Sequence, residues 1–132
     1  MSNLENKNII VTGASVGIVK AIIKKLYEAG ANILASGTRL EKLEDLKNQF
    51  EKIKILKFDI SQSDKIEEFI EDATKDLGGS LDGIVNNAGI TQDNLAIRMN
   101  LEEWQKVINI NLTSTFLMSK FAIKKMLKNK SG

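Results

Sequence analysis

The stretch Ile9-Ile10-Val11-Thr12-Gly13-Ala14-Ser15-Val16-Gly17-Ile18-Val19 decides the fold. Ile9-Ile10-Val11 is a continuous β-branched apolar run, the pattern of a strand covered on both faces. From Gly17 to Ala29 the apolar residues Ile18, Ala21, Ile22 and Leu26 recur at helical spacing, and Gly30 suits a left-handed helix C-cap. The loop between strand and helix is built of small residues. A phosphate needs backbone N–H groups aimed at it and little side-chain bulk, and a helix N-terminus adds the positive end of its dipole. Glycine spacing alone also fits an ordinary tight turn. Strand, glycine loop and helix in that order point instead to pyrophosphate binding.

Outward from this unit the same alternation continues. Ile33-Leu34-Ala35 reads as a second buried strand, and Thr38-Arg39-Leu40-Glu41 as a capping box opening a helix that carries Leu43, Leu46 and Phe50. Ile53, Ile55 and Phe58 lie among Lys52, Lys54 and Lys57, a strand nearer the sheet edge, where charge discourages unwanted pairing. Ser63 reads as the cap of a helix bearing Ile66, Phe69, Ile70, Ala73 and Leu77, ended by Gly78-Gly79. Gly83-Ile84-Val85 is a fourth short strand, and Asn100 with Glu103 starts a last helical region that runs nearly to the C-terminus. Strands separated by helices run parallel, with right-handed crossovers. The predicted fold is α/β, a Rossmann-like doubly wound parallel sheet of order 3-2-1-4.

Composition narrows the chemistry. The 132 residues suit one domain, and 42% hydrophobic with 27% charged residues is ordinary for a globular chain. The absence of Cys and His excludes disulfides, thiolate or imidazole metal sites and a Ser-His-Asp triad. Tyr, Lys, Asp and Glu remain as proton carriers, with a single Tyr. Nineteen Lys+Arg against seventeen Asp+Glu, net +2, argues against a nucleic-acid or membrane-surface binder. The N-terminus lacks the pattern of a signal peptide. The uncharged run from Val107 to Ser119 is well short of the ~20 apolar residues that span a bilayer. The expected compartment is the cytoplasm.

Two further positions bear on the nucleotide. An acidic residue at the end of the second strand would bind a free ribose 2′-OH. Here Ala35-Ser36-Gly37-Thr38-Arg39 offers none, whereas Arg39 and the Thr38 hydroxyl suit a 2′-phosphate, so NADP (NADPH) is expected over NAD. The plainer alternative is a solvated Arg39 and a Thr38 that only caps. Asp59, after the third strand, is placed to accept from an adenine amino group or to serve as an ordinary turn aspartate.

Thr12-Gly13-x-x-x-Gly17 followed by Asn86-Asn87-Ala88-Gly89 resembles the short-chain dehydrogenase/reductase superfamily. The segment from Gly89 to Met99, with Trp104 and Asn109-Ile110-Asn111-Leu112-Thr113-Ser114, is most similar to bacterial 3-oxoacyl-[acyl-carrier-protein] reductases. The resemblance covers the whole chain but about the first half of such a protein. It implies that Gly13, Ser15, Gly17 and Ile18 line the cofactor phosphates, and that Asp59 and Ile60 flank the adenine. It implies that Asn87, Ala88 and Gly89 pack against the adenosine ribose. Asn111 matches the family's catalytic asparagine, which kinks the long helix and holds a water in a proton relay; a mid-helix Asn competes for backbone hydrogen bonds, so a kink has a physical cause. Alternatively, Asn111 is a buried polar residue satisfied by nearby carbonyls, and Asn86-Asn87 a strand-end turn.

Two departures stand out. Val19 replaces the motif's third glycine, which in the related fingerprint allows close helix–strand packing. The expectation is a helix pushed outward or repacked, and tighter NADPH binding on Val19→Gly. Val16 also stands where NADP-using relatives often carry a basic residue, leaving Arg39 to carry that preference. The family's Ser and Tyr-x-x-x-Lys follow Asn111, and neither is here: Tyr27 precedes Glu28-Ala29-Gly30-Ala31 and reads as a packing or surface residue. The reading is residues 1–132 as the dinucleotide-binding part of one Rossmann-like domain, its C-terminal catalytic part absent and the chain inactive alone.

The last helix carries Val107, Ile108, Leu112, Phe116, Leu117, Phe121, Ile123, Met126 and Leu127 around much of its circumference. One side can rest on the sheet; the other requires an absent helix or a partner subunit, and the resemblance implies a homo-oligomer there. With no fifth strand the fourth is an open edge, so marginal stability or aggregation is expected. Lys120, Lys124, Lys125, Lys128 and Lys130 read as a solvated helix terminus, or as a docking patch for an acidic acyl carrier protein. The expected activity is reduction of a 3-oxoacyl thioester to the 3-hydroxyacyl form. The alternatives are a short-chain dehydrogenase of a small alcohol or sugar and a non-catalytic dinucleotide-binding module.

Overall fold

The structure, a computed structural model, describes residues 3–14, 17–88, 98–130 and 132, with Gly17 and Ile18 described by their backbone alone. Four strands, β1 (Asn8–Val11), β2 (Asn32–Gly37), β3 (Lys54–Lys57) and β4 (Gly83–Val85), form one sheet of order β3-β2-β1-β4. All three pairings are parallel, as expected for strands joined through helices. The helices are α1 (Gly17–Glu28), α2 (Leu40–Gln49), α3 (Ile66–Asp76) and α4 (Leu101–Lys128), and a 3-10 turn over Ser63–Lys65 leads into α3.

Strand alternation divides the core in two. Ile9 and Val11 of β1 with Ile33 and Ala35 of β2 join Val19, Ile23, Leu43 and Leu46 on the α1–α2 face. Ile10 and Leu34 point the other way and join Ile66, Phe69, Ile70, Met118 and Ala122 on the α3–α4 face. The register Ile9↔Ile33, Ile10↔Leu34, Val11↔Ala35 keeps the two sets apart, because a slip of one residue would exchange the faces. Both middle strands are therefore buried from Ile9 to Val11 and from Ile33 to Gly37, while β3 at the edge exposes Lys54 and Lys57.

The helix ends follow local chemistry where glycine is present. Gly30 (φ 92°) lets its own N–H reach the Tyr27 carbonyl and the Ala31 N–H reach that of Leu26, a Schellman closure of α1. Gly78-Gly79 closes α3 in the same way, on Lys75 and Thr74. The Asn100 side chain accepts from the Glu103 N–H at 2.8 Å and starts α4 as the sequence indicates.

Three sequence expectations need correction. The capping box at Thr38 is absent: Arg39, with extended backbone, is the N-cap and makes no side-chain cap bond. Glu41, instead of reaching back to a cap N–H, pairs with the Arg39 side chain. Ser63 likewise is not a cap. The Asp59 carboxylate accepts from the Ser61 N–H at 2.9 Å and the Asp59 carbonyl from the Gln62 N–H, so the chain turns before Ser63 is reached. Among the described side chains of α1, Val19 and Ile23 are buried and Ala21 faces solvent. The helix is apolar on more than one side, and Val19 and Ile23 are the pair that joins Ile9, Val11, Ile33 and Ala35 in the core.

Val19 is fully buried and shares its cluster with Ala14, Ala31 and Ala35. Tyr27 packs its ring against Phe50, centroids 5.2 Å apart, a structural placement as expected. At the N-terminal edge of the sheet, Asn8 donates from its side chain to Ser80 and accepts from Asn32, while Asp82 accepts from the Asn8 N–H. This polar latch fixes the strand starts and leaves the opposite ends to the site.

Candidate functional site

The C-terminal ends of β1 and β4 lie side by side, and one hydroxyl joins them. Thr12 Oγ1 donates to the Val85 carbonyl (3.3 Å) and accepts from the backbone N–H groups of Asn87 (3.1 Å) and Ala88 (3.0 Å). A threonine hydroxyl has one donor and two acceptor positions, and here all three are used in a nearly water-free place. The Asn87 side chain adds a donation to the Gly13 carbonyl at 3.4 Å.

Gly13 shows why this junction tolerates no side chain. Its φ is 69°, and a Cβ there would lie 2.8 Å from the backbone of Asn87 and Ala88. The glycine loop and the Asn87-Ala88 segment thus touch backbone to backbone. On its other flank the loop is tied to β2, where the Ala14 N–H donates to the Ser36 carbonyl at 2.8 Å. That amide is engaged internally and is not free for an anion. The amides left to meet a phosphate are those that follow Ala14 in the loop, of which Ser15 and Val16 lie outside the described residues.

Thr38 and Arg39 emerge exposed at the end of β2, next to the Ser36–Ala14 tie. Ile60 is buried on the α3–α4 side. With Ser61, Ser63, Asn109, Ile110, Thr113 and Ser114 it lines a cleft of about 160 Å³ between the post-β3 loop and α4. Asp59 is exposed, one carboxylate oxygen engaged by Ser61. Asn111 sits half-buried on the turn of α4 that lines the cleft, and its carbonyl accepts from the Ser114 hydroxyl at 3.1 Å. The helix runs unbroken through this position. Asn86 donates to the Ser119 hydroxyl at 3.1 Å and so fastens the end of β4 to α4.

Thr12, Gly13, Asn87 and Ala88 are therefore brought into direct contact. Ile60 and the Asn111 turn meet at the cleft, and Thr38-Arg39 reach the rim from β2. Ser15 and Gly89 lie outside the described residues, as do the side chain of Ile18 and the segment from Gly89 to Ile97. The sequence reading did not single out Ser36, Ser119 or Ile110. Their parts rest on partners distant in the chain, and no local signal marks them.

The residues fit a dinucleotide: small backbone-exposing residues at the junction, an apolar wall at Ile60 and Ile110, and a cation at the rim. No helix among the described residues is long and apolar enough to cross a membrane.

Comparison with known proteins agrees with this geometry. The family model of the short chain dehydrogenases matches residues 7–132. The 3-oxoacyl-[acyl-carrier-protein] reductase FabG of Vibrio cholerae is 39% identical over 131 residues, 98% of this chain and 53% of that protein. FabG of Rickettsia felis is 39% identical over 133 residues, covering 100% of this chain and 53% of its own. A solved short-chain dehydrogenase/reductase of Brucella melitensis, titled glucose/ribitol dehydrogenase, superposes with a TM-score of 0.82 at 30% identity, over 95% of this chain and 52% of that one. The chain spans about half the length of the curated relatives it matches. With a parallel 3-2-1-4 sheet, a glycine loop clamped to Asn87-Ala88 and this family match, the chain belongs to the short-chain dehydrogenase family.

Proposed function

We propose that this chain forms the dinucleotide-binding part of an NADPH-dependent 3-oxoacyl-[acyl-carrier-protein] reductase, which converts a 3-oxoacyl thioester to its 3-hydroxyacyl form. The observation that carries the dinucleotide part is the Thr12 clamp, which presents the glycine loop and the Asn87-Ala88 backbone as one surface. The substrate part rests on the names of the relatives. In this reading Gly13, Gly17 and Ile18, with Ser15, hold the phosphates, and Thr38 and Arg39 hold the ribose 2′-phosphate. Asp59 and Ile60 flank the adenine, Asn87, Ala88 and Gly89 pack on the ribose, and Asn111 contributes to the proton relay. The bound nicotinamide supplies the hydride.

The reading also gives α4 two tasks. Its apolar outer face is a subunit contact in a homo-oligomer. Its lysine-rich end is a steering surface for an acidic carrier protein, partly neutralised by the Lys125–Glu71 ion pair.

The test joins residues 1–132 to the second half of the Vibrio cholerae reductase. The chimera is expected to reduce a 3-oxoacyl thioester with NADPH, whereas the 132 residues alone, with no Tyr-x-x-x-Lys, bind NADPH weakly and turn nothing over. A folded chimera that binds no dinucleotide would refute the reading.

A further inference from the structure

At the rim of the site the Arg39 guanidinium already carries a carboxylate. Arg39 Nε donates to Glu41 Oε1 at 3.2 Å, and the two side chains are 59% and 67% exposed. The pair stands where β2 ends, beside the strand end to which the glycine loop is tied through Ala14 and Ser36. Arg39 is the residue that a ribose 2′-phosphate would seek, because a guanidinium offers the same forked donors to phosphate and to carboxylate. Glu41 stays charged at neutral pH: its own backbone N–H, and then Arg39, hold its carboxyl below the ordinary 4.5.

We propose that Glu41 is a built-in competitor for the Arg39 guanidinium and sets this chain's preference between a dinucleotide bearing a 2′-phosphate and one with a free 2′-hydroxyl. The inference rests on the dinucleotide reading above. A 2′-phosphate must displace the Glu41 carboxylate or share the guanidinium with it, like charge beside like charge. A free 2′-hydroxyl asks nothing of Arg39 and meets no such cost. Glu41 therefore lowers affinity for NADPH and leaves NADH alone. Exposed pairs of this kind are weak, so the effect is modest, about two- to fivefold in dissociation constant.

The test is titration of the wild-type chain and of Glu41→Gln, Arg39→Gln and the double variant with NADPH and with NADH, followed by amide chemical shifts that read weak binding. Glutamine keeps the shape and removes the charge at an exposed site. The expected result is a two- to fivefold tighter NADPH complex for Glu41→Gln and an unchanged NADH complex. The gain should vanish in the Arg39→Gln background, which isolates the pairwise term. A merely structural role for Glu41 would shift both nucleotides together. If Glu41→Gln leaves NADPH affinity unchanged or weakens it while Arg39→Gln still lowers it, the competitor is overturned and the dinucleotide reading stands. If neither nucleotide binds any of the four proteins, both fall.

Discussion

Ala88 gives its backbone N–H to the Thr12 hydroxyl at 3.0 Å, across 76 positions of chain, and this bond makes two loops into one surface. The hydroxyl's third bond, to the Val85 carbonyl, aims its lone pairs at the two N–H groups it receives.

Thr12→Val keeps the shape and removes all three bonds. It takes from the Ala88 N–H its hydroxyl acceptor, while the Asn87 N–H keeps the Val85 carbonyl and that carbonyl keeps the Thr12 and Asn87 N–H groups, and it is expected to cost about 1–3 kcal/mol. Thr12→Ser retains the hydroxyl and should cost distinctly less. Urea denaturation midpoints of the two variants check this; a loss in Thr12→Ser as large as that in Thr12→Val would show that the methyl group matters as much as the hydroxyl.

Gly13→Ala combines a positive φ with a 2.8 Å approach to the backbone of Asn87 and Ala88. Gly78, also at positive φ (108°), has open space where a Cβ would go. Strain of this kind is worth on the order of 1–3 kcal/mol. The Gly78→Ala variant should show that strain alone, and Gly13→Ala should lose more, because backbone must move. Thermal melts of the two proteins side by side give the comparison.

Val19→Ala empties volume in the α1–α2 core and is expected to cost about 2 kcal/mol by lost burial and residual cavity. Val19→Gly adds helix-interior glycine, about 1 kcal/mol more. The tighter NADPH binding expected of that variant must therefore be measured well below its lowered melting temperature. A stability equal to wild type would mean that the helix closes onto the sheet without a void.

Much of this was legible in the residues, and the failures have physical causes. Apolar runs of the middle strands were unambiguous because both faces of the sheet are covered, so Ile9-Ile10-Val11 and Ile33-Leu34-Ala35 carry no competing pattern. Gly30 and Gly78-Gly79 were readable because a left-handed C-cap is a local requirement. The Thr38 cap was not, since a sequence can offer a capping box one residue before the backbone begins its helix. The α1 face was ambiguous because Ile18, Val19, Ile22, Ile23 and Leu26 allow two stripes, and the choice lies with the sheet. Thr12 stood out as part of the motif, but its clamp depends on partners in a distant loop. Local patterning holds no trace of them.

The Glu71 carboxyl is held below its ordinary value of 4.5, first by the hydrogen bond from Lys125 on α4 and further by the charges of Lys125, Lys128 and Lys124. A carboxylate with a lowered folded-state value contributes stability that is complete above the ordinary carboxylate range and is lost as pH falls through the lowered value. Glu71→Gln should therefore lower stability at neutral pH and flatten its decline on acidification. Both partners reach solvent to differing degrees, so the change should be small and reduced by salt. Denaturation midpoints at neutral and acid pH, in low and high salt, provide the measurement.

Leu101, Trp104, Ile108, Leu112, Phe116, Ile123 and Leu127 are exposed and, at 100° per residue, occupy roughly 140° of α4's circumference. Such a stripe promotes self-association. Leu112→Lys together with Phe116→Lys should reduce light scattering at high protein concentration without lowering the melting temperature. Unchanged scattering would place the sticky surface elsewhere, with β4, an outer strand of the described sheet, the next to test.

Trp104, the chain's single tryptophan, sits on that stripe at 55% exposure. Its indole is thus an optical gauge already wired into the protein. Water-facing emission should move to shorter wavelength whenever another surface comes to lie over the first turns of α4. Dilution series, added chain halves and candidate carrier proteins can all be followed through one native chromophore, with no label attached.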